Sequence, residues 1–245
     1  MKTIVFQSMK GGVGKTASAV STAAILAENS RVLMVDLDPQ ATLTSHFCDQ
    51  SQGAALRDVL KSGYDLSASI LRVKKGLDLL PTALELMLLE IELFGKPNRE
   101  YLLHDAFEEL NDIYDYAVID TKPDVGFLNR SALIAADIVV IPTQLEAPSA
   151  KAIYDTRRVI RDCREAARYF KKSLDEIILP TFYEENRPLH EKVLDELRKN
   201  YPELVVDIKI HRSADIARTY SQRGDFLPKN TRSYTEYSEF CGYLR

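Results

Sequence analysis

Cysteine is scarce. Cys48, Cys163 and Cys241 are the three in 245 residues, and they lie far apart. Their odd number and wide spacing exclude a disulfide framework, a CxxC metal knuckle and an iron–sulfur ligand set, and they point to a reducing compartment. Long apolar runs are missing too; crossing a bilayer takes about twenty such residues. The first seven residues lead into a polar Gly/Lys stretch, without the apolar core and small-residue cleavage site of a signal peptide. No Pro/Gly/Ser-rich linker, internal repeat or low-complexity tract divides the chain, so one domain over residues 1–245 is expected. An excess of positive charge is also absent. Thirty-two basic residues stand against 36 acidic ones, a net charge of −4. A wholesale basic coat is thereby excluded, and any nucleic-acid surface must be a local patch. What remains, 45% hydrophobic and 28% charged residues, is the make-up of a soluble globular protein.

Short β-branched runs alternate with longer amphipathic segments. Strands are expected over 2–7, 31–36, 77–80, 116–120, 138–141, 177–179 and 205–210. Several are apolar throughout, as in parallel strands covered on both faces. Helices are expected over 16–28, 83–94, 100–114, 127–136, 149–172, 189–200 and 214–222. This alternation predicts an α/β class, doubly wound and mostly parallel, with helices flanking the sheet. Ligands of such sheets sit beyond the carboxyl ends of the strands, so the residues after each strand are the ones to read for chemistry.

After the first strand come Lys10, Gly11, Gly12, Val13, Gly14, Lys15 and Thr16, then an alanine-rich helix. Glycines let backbone N–H groups approach an anion closely, and the helix N-terminus favours phosphate. Lys15 would reach the β- and γ-phosphates, and the Thr16 hydroxyl would ligate Mg²⁺. The general phosphate-loop pattern has a glycine where Met9 stands, while Lys-Gly-Gly-x-Gly-Lys-Thr fits with Lys10 as an additional lysine. Composition alone gives such a match in about one chain in ten thousand. The alternative is a Gly-rich turn without a ligand.

Residues 10–16 resemble the deviant Walker A loop of the ParA/MinD family of P-loop ATPases. The resemblance implies ATP and Mg²⁺ as cofactors, with Lys10 to Ala17 around the nucleotide. It implies that Lys10 reaches the partner's phosphates across an ATP-sandwich homodimer. The family usually has a second hydroxyl residue where Ala17 stands, which removes one hydrogen bond to the α-phosphate. The stretch Asp36-Leu37-Asp38-Pro39-Gln40 is similar to the family's Asp-x-Asp-Pro-Gln. By resemblance, Asp38 positions the attacking water and couples to Mg²⁺, and Asp36 is a strand-end acid. The alternative is a pair of ordinary loop acids, Asp38 capping a following helix turn. The apolar strand ending at Asp120 is a Walker B arrangement whose carboxylate would hold Mg²⁺ opposite Thr16. Lys10, Lys15, Asp38 and Asp120 are thus the catalytic candidates, and Thr16, Asp38 and Asp120 the metal candidates. In the switch loop that follows, Pro123 and Gly126 keep the family pattern; Lys122 and Asp124 depart from it, or form a solvated pair. Gln144 and Glu146, and Thr181-Phe182-Tyr183 near the adenine, extend the resemblance.

Within that family, the acidic tail with its glycine is a poor membrane anchor, and the cysteines do not suit the iron–sulfur branch. The ParA branch remains, which implies non-specific DNA binding by the ATP dimer and a ParB-like activator protein. The first strand begins at residue 2, so no helix-turn-helix extension is expected. Between 151 and 172, Lys151, Arg157, Arg158, Arg161, Arg164, Arg168, Lys171 and Lys172 oppose three acids, and a second basic run spans 209–232. Arg187, Arg212, Arg218 and Arg223 are the DNA-contact candidates; solvated helix faces are the alternative. The expected function is a partition ATPase, slow without its activator, acting in the cytoplasm and on the nucleoid. The rivals are a relative that positions a non-DNA cargo and a nucleotide-binding scaffold without turnover.

Overall fold

The computed structural model describes residues 1–49, 55–62, 66–167 and 173–245. Arg168, Lys171 and Lys172 of the expected basic helix lie outside these residues. In chain order the elements are β1 (Lys2–Phe6), α1 (Lys15–Leu26), β2 (Val32–Asp36), α2 (Thr42–Phe47), α3 (Ala55–Ser62), β3 (Leu71–Lys74), β4 (Leu77–Leu80), α4 (Leu86–Glu92), α5 (Leu102–Glu108), β5 (Tyr116–Asp120), α6 (Phe127–Ala135), β6 (Ile138–Gln144), α7 (Ser149–Ala167), β7 (Asp175–Thr181), α8 (Pro188–Asn200), α9 (Ala214–Ser221) and α10 (Arg232–Phe240). Among the described residues, no helix is long and apolar enough to cross a membrane.

The sheet runs β3-β4-β2-β5-β1-β6-β7. Every pairing is parallel except β3 with β4. Alternate side chains of each central strand enter different cores. Val5, Leu33 and Val35 pack with α5, α6, α7 and α8 on one face. Ile4, Phe6, Val32 and Met34 pack with α1 and α10 on the other. Both faces exclude water, which explains why these strands are apolar without alternation. Truncating a residue such as Leu33, fully buried, costs about 2–5 kcal/mol.

β1 lies between β5 and β6, with β2 on the far side of β5. The chain leaves β1 toward one edge and later returns past it toward the other, so the order reverses at β1. A crevice opens there beyond the strand ends, and the glycine loop fills it.

Several elements differ from the sequence expectation. Residues 205–210 run beside β7 but are not a strand. Val206 donates to the Ile178 carbonyl (3.2 Å), and the next bond comes from Ile210 to the Pro180 carbonyl (2.9 Å). Pro180 has no N–H to continue the ladder. The segment expected as one helix over 100–114 is a 3₁₀ turn followed by α5, ending at Glu108. β6 continues three residues beyond the expected 138–141, through Pro142 and Thr143 to Gln144. α10 had no reading in the sequence. Its N-cap is Thr231, whose side chain accepts from the Tyr234 N–H, and its buried stripe is Ser233, Glu236, Tyr237 and Phe240.

Candidate nucleotide site

The glycine loop joins the end of β1 to α1. Gly14 takes φ 86° at the N-cap position of α1 and offers no side-chain cap. The N–H groups of the first turn are left for an external acceptor, which the helix dipole prefers to be an anion. The positive φ favours glycine here, and a Cβ would also crowd the Phe182 ring at 3.3 Å. Two outside contacts fix the loop. Thr181 Oγ1 donates to the Val13 carbonyl at 2.9 Å, and Gln144 Nε2 donates to the Gly12 carbonyl at 3.0 Å. The extension of β6 to Gln144 makes the second contact possible, and the break in its apolar run at Pro142 and Thr143 hid it from the sequence.

The structure brings Thr16, Lys15 and Asp120 together. Thr16 Oγ1 donates to Asp120 Oδ2 at 2.6 Å. Lys15 is buried, and its charge acts on Asp120. Asp120 Oδ1 is buried with no hydrogen-bond partner among the described residues. Asp36 is the register neighbour of Asp120 at the ends of β2 and β5. Desolvation pushes Asp120 up to about 6, against the Thr16 bond and the Lys15 charge. Desolvation and then the charge of Asp120 push Asp36 up to about 7, against its bonds from Thr44. Thr44, which donates to Asp36 Oδ2 through both its N–H and its hydroxyl at 2.8 Å, was missed in the sequence. Its signal was a hydroxyl eight residues after a strand-end acid.

These two carboxyls make stability depend on pH. Their folded values exceed the ordinary 3.8, so the folded chain holds protons that the unfolded chain has released. Their contribution is therefore greatest near pH 4 and is lost as pH rises through about 7. Unfolding by urea without nucleotide should show the wild type losing stability relative to Asp36→Asn between about pH 4 and 7. A pH-independent difference would contradict the buried, protonated Asp36.

Asp38 stands in a turn at the rim. Its N–H donates to Asp36 Oδ1 (3.1 Å), and its own Oδ1 accepts from the Gln40 N–H (2.9 Å). It closes its own loop and does not cap the helix turn that follows, since α2 has Ala41 at its N-cap without a side-chain cap; it also lines a groove beside Lys122 and Asp124. Lys10 lies at the mouth of the loop, where its ammonium meets Glu146 at 2.7 Å and Gln144 Oε1 at 3.0 Å. That hydrogen bond holds the Glu146 carboxyl below its usual range.

Beyond Gly14 and Ala17 opens an apolar cavity of about 230 Å³. Phe182, Ile210, Ile216, Tyr220 and Tyr237 form its walls. Tyr237 is tied to Ser18 of α1 (2.9 Å) and Tyr220 to Ser21 (2.8 Å) and to the Ala17 carbonyl (3.1 Å). Of the expected Thr181-Phe182-Tyr183 stretch, Thr181 and Phe182 line it. The two tyrosines went unread because they lie about 200 residues beyond the loop they complete.

The DNA-contact candidates all lie on the surface, and Arg212 borders the apolar cavity. Arg212 binds Glu184 at 2.8 Å and stacks over Phe182. Arg187 lies 3.7 Å from Glu184, and Arg223 lies 2.8 Å from Asp49. Arg218, on α9, makes no ion pair among the described residues. On α7, Arg157 and Arg164 both reach Glu176.

A glycine loop at the switch point of a parallel sheet, with a threonine and a strand-end aspartate at its foot, defines a P-loop nucleoside-triphosphatase fold. A family model for an AAA domain matches residues 1–177. The sporulation initiation inhibitor protein Soj of Bacillus subtilis is 31% identical over 242 residues, covering 95% of this chain and 92% of its own. The chromosome partitioning protein ParA of Caulobacter vibrioides is 30% identical over 227 residues, covering 90% and 84%. The structure of cobyrinic acid a,c-diamide synthase from Mycobacterium smegmatis with a bound ATP analog and magnesium superposes with a TM-score of 0.86 at 30% identity, covering 100% of this chain and 94% of that one. The chain belongs to the ParA/Soj family of P-loop ATPases.

Proposed function

We propose that this protein is an Mg-ATP-dependent ATPase that dimerises around ATP, binds DNA non-specifically as that dimer and segregates plasmid or chromosomal DNA. A ParB-like partner stimulates its slow hydrolysis. The observation that carries this reading is the Thr16–Asp120 contact at the foot of an uncapped glycine loop, with Lys10 at the mouth. Residues 11–17 would wrap the phosphates, Lys15 would neutralise them and the apolar cavity would take the base. Thr16 and Asp120, the latter with a buried oxygen lacking any partner, fit a hard divalent cation. Magnesium, when bound, neutralises charge developing on the transferred phosphoryl group. Asp38 would orient the water.

Lys10 would leave Glu146 to reach a partner's phosphates, exchanging one charged contact for another. Lys10→Ala is therefore expected to bind ATP as a monomer while dimerisation in ATP weakens about ten-fold or more, since each charged hydrogen bond is worth about 1.5–3 kcal/mol. Light scattering with and without ATP measures this, and normal dimers in that variant would sink the sandwich reading.

DNA binding is supported by the exposed arginines. Their acid partners are surface pairs worth about 0–1 kcal/mol, weak enough for phosphate to displace. A gel shift with random duplex DNA, with and without ATP, should show an ATP-dependent complex that fades between about 50 and 200 mM salt. The pairing of Arg187, Arg212 and Arg223 with acids favours the second reading, a positioning ATPase with a non-DNA cargo. No shift with ATP at low salt would select it.

A further inference from the structure

Helix α2 is strained at its start. Its N-cap residue, Ala41, is fully buried and takes φ 53°, a left-handed backbone that an L side chain resists. Such strain persists only where surrounding contacts hold the chain in place. The Ala41 N–H donates to the Asp38 carbonyl at 2.7 Å, so the strained residue and the Asp38 turn move together. Thr44 supplies the first anchor, through its two bonds to Asp36. Its hydroxyl also accepts from the Thr82 N–H at 3.0 Å, which pins α2 beside the ends of β2 and β4.

The second anchor lies at the other end of the helix. His46 is 8% exposed. Its Nε2–H donates to the Asp225 carbonyl at 2.8 Å, and its own carbonyl accepts from the Gly224 N–H at 2.7 Å. Both partners belong to the turn that follows α9. The His46 ring lies against that of Tyr220 on α9, with centroids 5.3 Å apart. Phe47 packs on Phe226 at 5.5 Å and closes the same junction.

Tyr220 is a wall of the apolar cavity, and its hydroxyl donates to the Ala17 carbonyl. A run of short contacts therefore leads from Asp38 through Asp36, Thr44, His46 and Tyr220 to Ala17. It joins the turn that would orient the water to the wall that would meet the base, by a route that does not pass through the phosphates.

We propose that α2 is a lever between the base cavity and the Asp38 turn, and that His46 is the positioning residue through which an occupied cavity sets that turn for hydrolysis. The inference rests on the ATPase reading above and extends it: the base becomes a requirement for turnover and not for binding alone. Binding energy from a part of the substrate remote from the reacting bond raises kcat only when the protein carries it there. Ala41 supplies the second state. Strained α2 held on α9, and relaxed α2 released from it, form an equilibrium. A base packed against Tyr220 favours the first, because it keeps α9 on His46.

Two readouts on the full chain test the lever. The first needs no turnover: amide hydrogen exchange of residues 41–48 with saturating Mg-ADP and with saturating Mg-pyrophosphate. In the wild type, ADP should slow exchange there about five-fold or more beyond pyrophosphate, the worth of about one hydrogen bond. His46→Leu, which keeps bulk but loses the donor, should erase that difference, and His46→Gln, whose amide can reach the Asp225 carbonyl, should recover most of it. Equal protection by both ligands in the wild type, or an undiminished difference in His46→Leu, overturns the lever. The second readout is phosphate release from ATP and from inorganic triphosphate across substrate concentration. Wild-type kcat should be about five-fold or more higher with ATP, and His46→Leu should bring it near the triphosphate value with KM for ATP within about two-fold. An equal loss with both substrates, or a loss confined to KM, overturns the role of His46. Ala41→Gly removes the strain without threatening the fold, and it should raise kcat with triphosphate several-fold. No response there overturns the second state and the lever with it. A wild type that shows the ADP-specific protection but never releases phosphate refutes the ATPase reading and not the lever.

Discussion

A Lys15→Ala protein is expected to bind ATP about two to four orders of magnitude more weakly than wild type, as measured by titration with a fluorescent ATP analogue. Lys15 opens α1 immediately after Gly14, whose left-handed backbone turns the chain into the helix. Its side chain is buried in a setting where a charge acts strongly because water is largely excluded. Removing one member of a buried charge pair costs about 3–5 kcal/mol, which converts to the stated range. The backbone N–H groups at the head of α1 would remain, so residual binding is expected. The same substitution removes a charge that lowers the Asp120 carboxyl, so Asp120 should become harder to ionise. Near-normal affinity in Lys15→Ala would mean that the phosphates do not sit at the head of α1.

The second large effect concerns turnover and not affinity. Asp38→Ala is expected to keep ATP and remain dimeric, while hydrolysis falls about 10²–10⁴-fold, the range for a positioned acid–base group. Asp38 also caps its own turn through the Gln40 N–H, worth about 0.5–1.5 kcal/mol, so a second substitution separates chemistry from loop structure. Asp38→Asn keeps an acceptor for that N–H and should be equally arrested. Single-turnover phosphate release measures both. Arrest in Asp38→Ala with normal turnover in Asp38→Asn would assign the residue to the turn alone, and normal turnover in both would remove it from catalysis.

The parts legible in the sequence were those whose signal is local. The glycine loop, the strand-end acids Asp36 and Asp120, and the apolar central strands each carry their pattern within a few residues. The doubly wound parallel sheet followed from their alternation with helices. What escaped was made by distant pairing. Tyr220 and Tyr237 build the cavity from the opposite end of the chain, and Thr44 supports Asp36 from a helix too short to show periodicity. Gln144 reaches the loop only because β6 continues through a proline. The 205–210 segment looked like a strand because Val206, Ile208 and Ile210 alternate, a pattern that reports one-sided burial and cannot reveal that Pro180 interrupts the ladder. The reading of 209–232 as a basic run was true of composition, while Glu28, Glu184, Glu185, Glu191 and Glu236 neutralise much of it in space.

The Ser18–Tyr237 bond spans 219 positions, and that separation orders events during synthesis. The glycine loop leaves the ribosome well before the walls of its cavity. At about 5–20 residues per second, that interval lasts roughly ten to forty seconds. Throughout it the nascent chain carries the glycine loop without the apolar cavity beside it. The cavity wall at Tyr237 can close over α1 only after α10 has been made, so this part of the site is assembled late in synthesis.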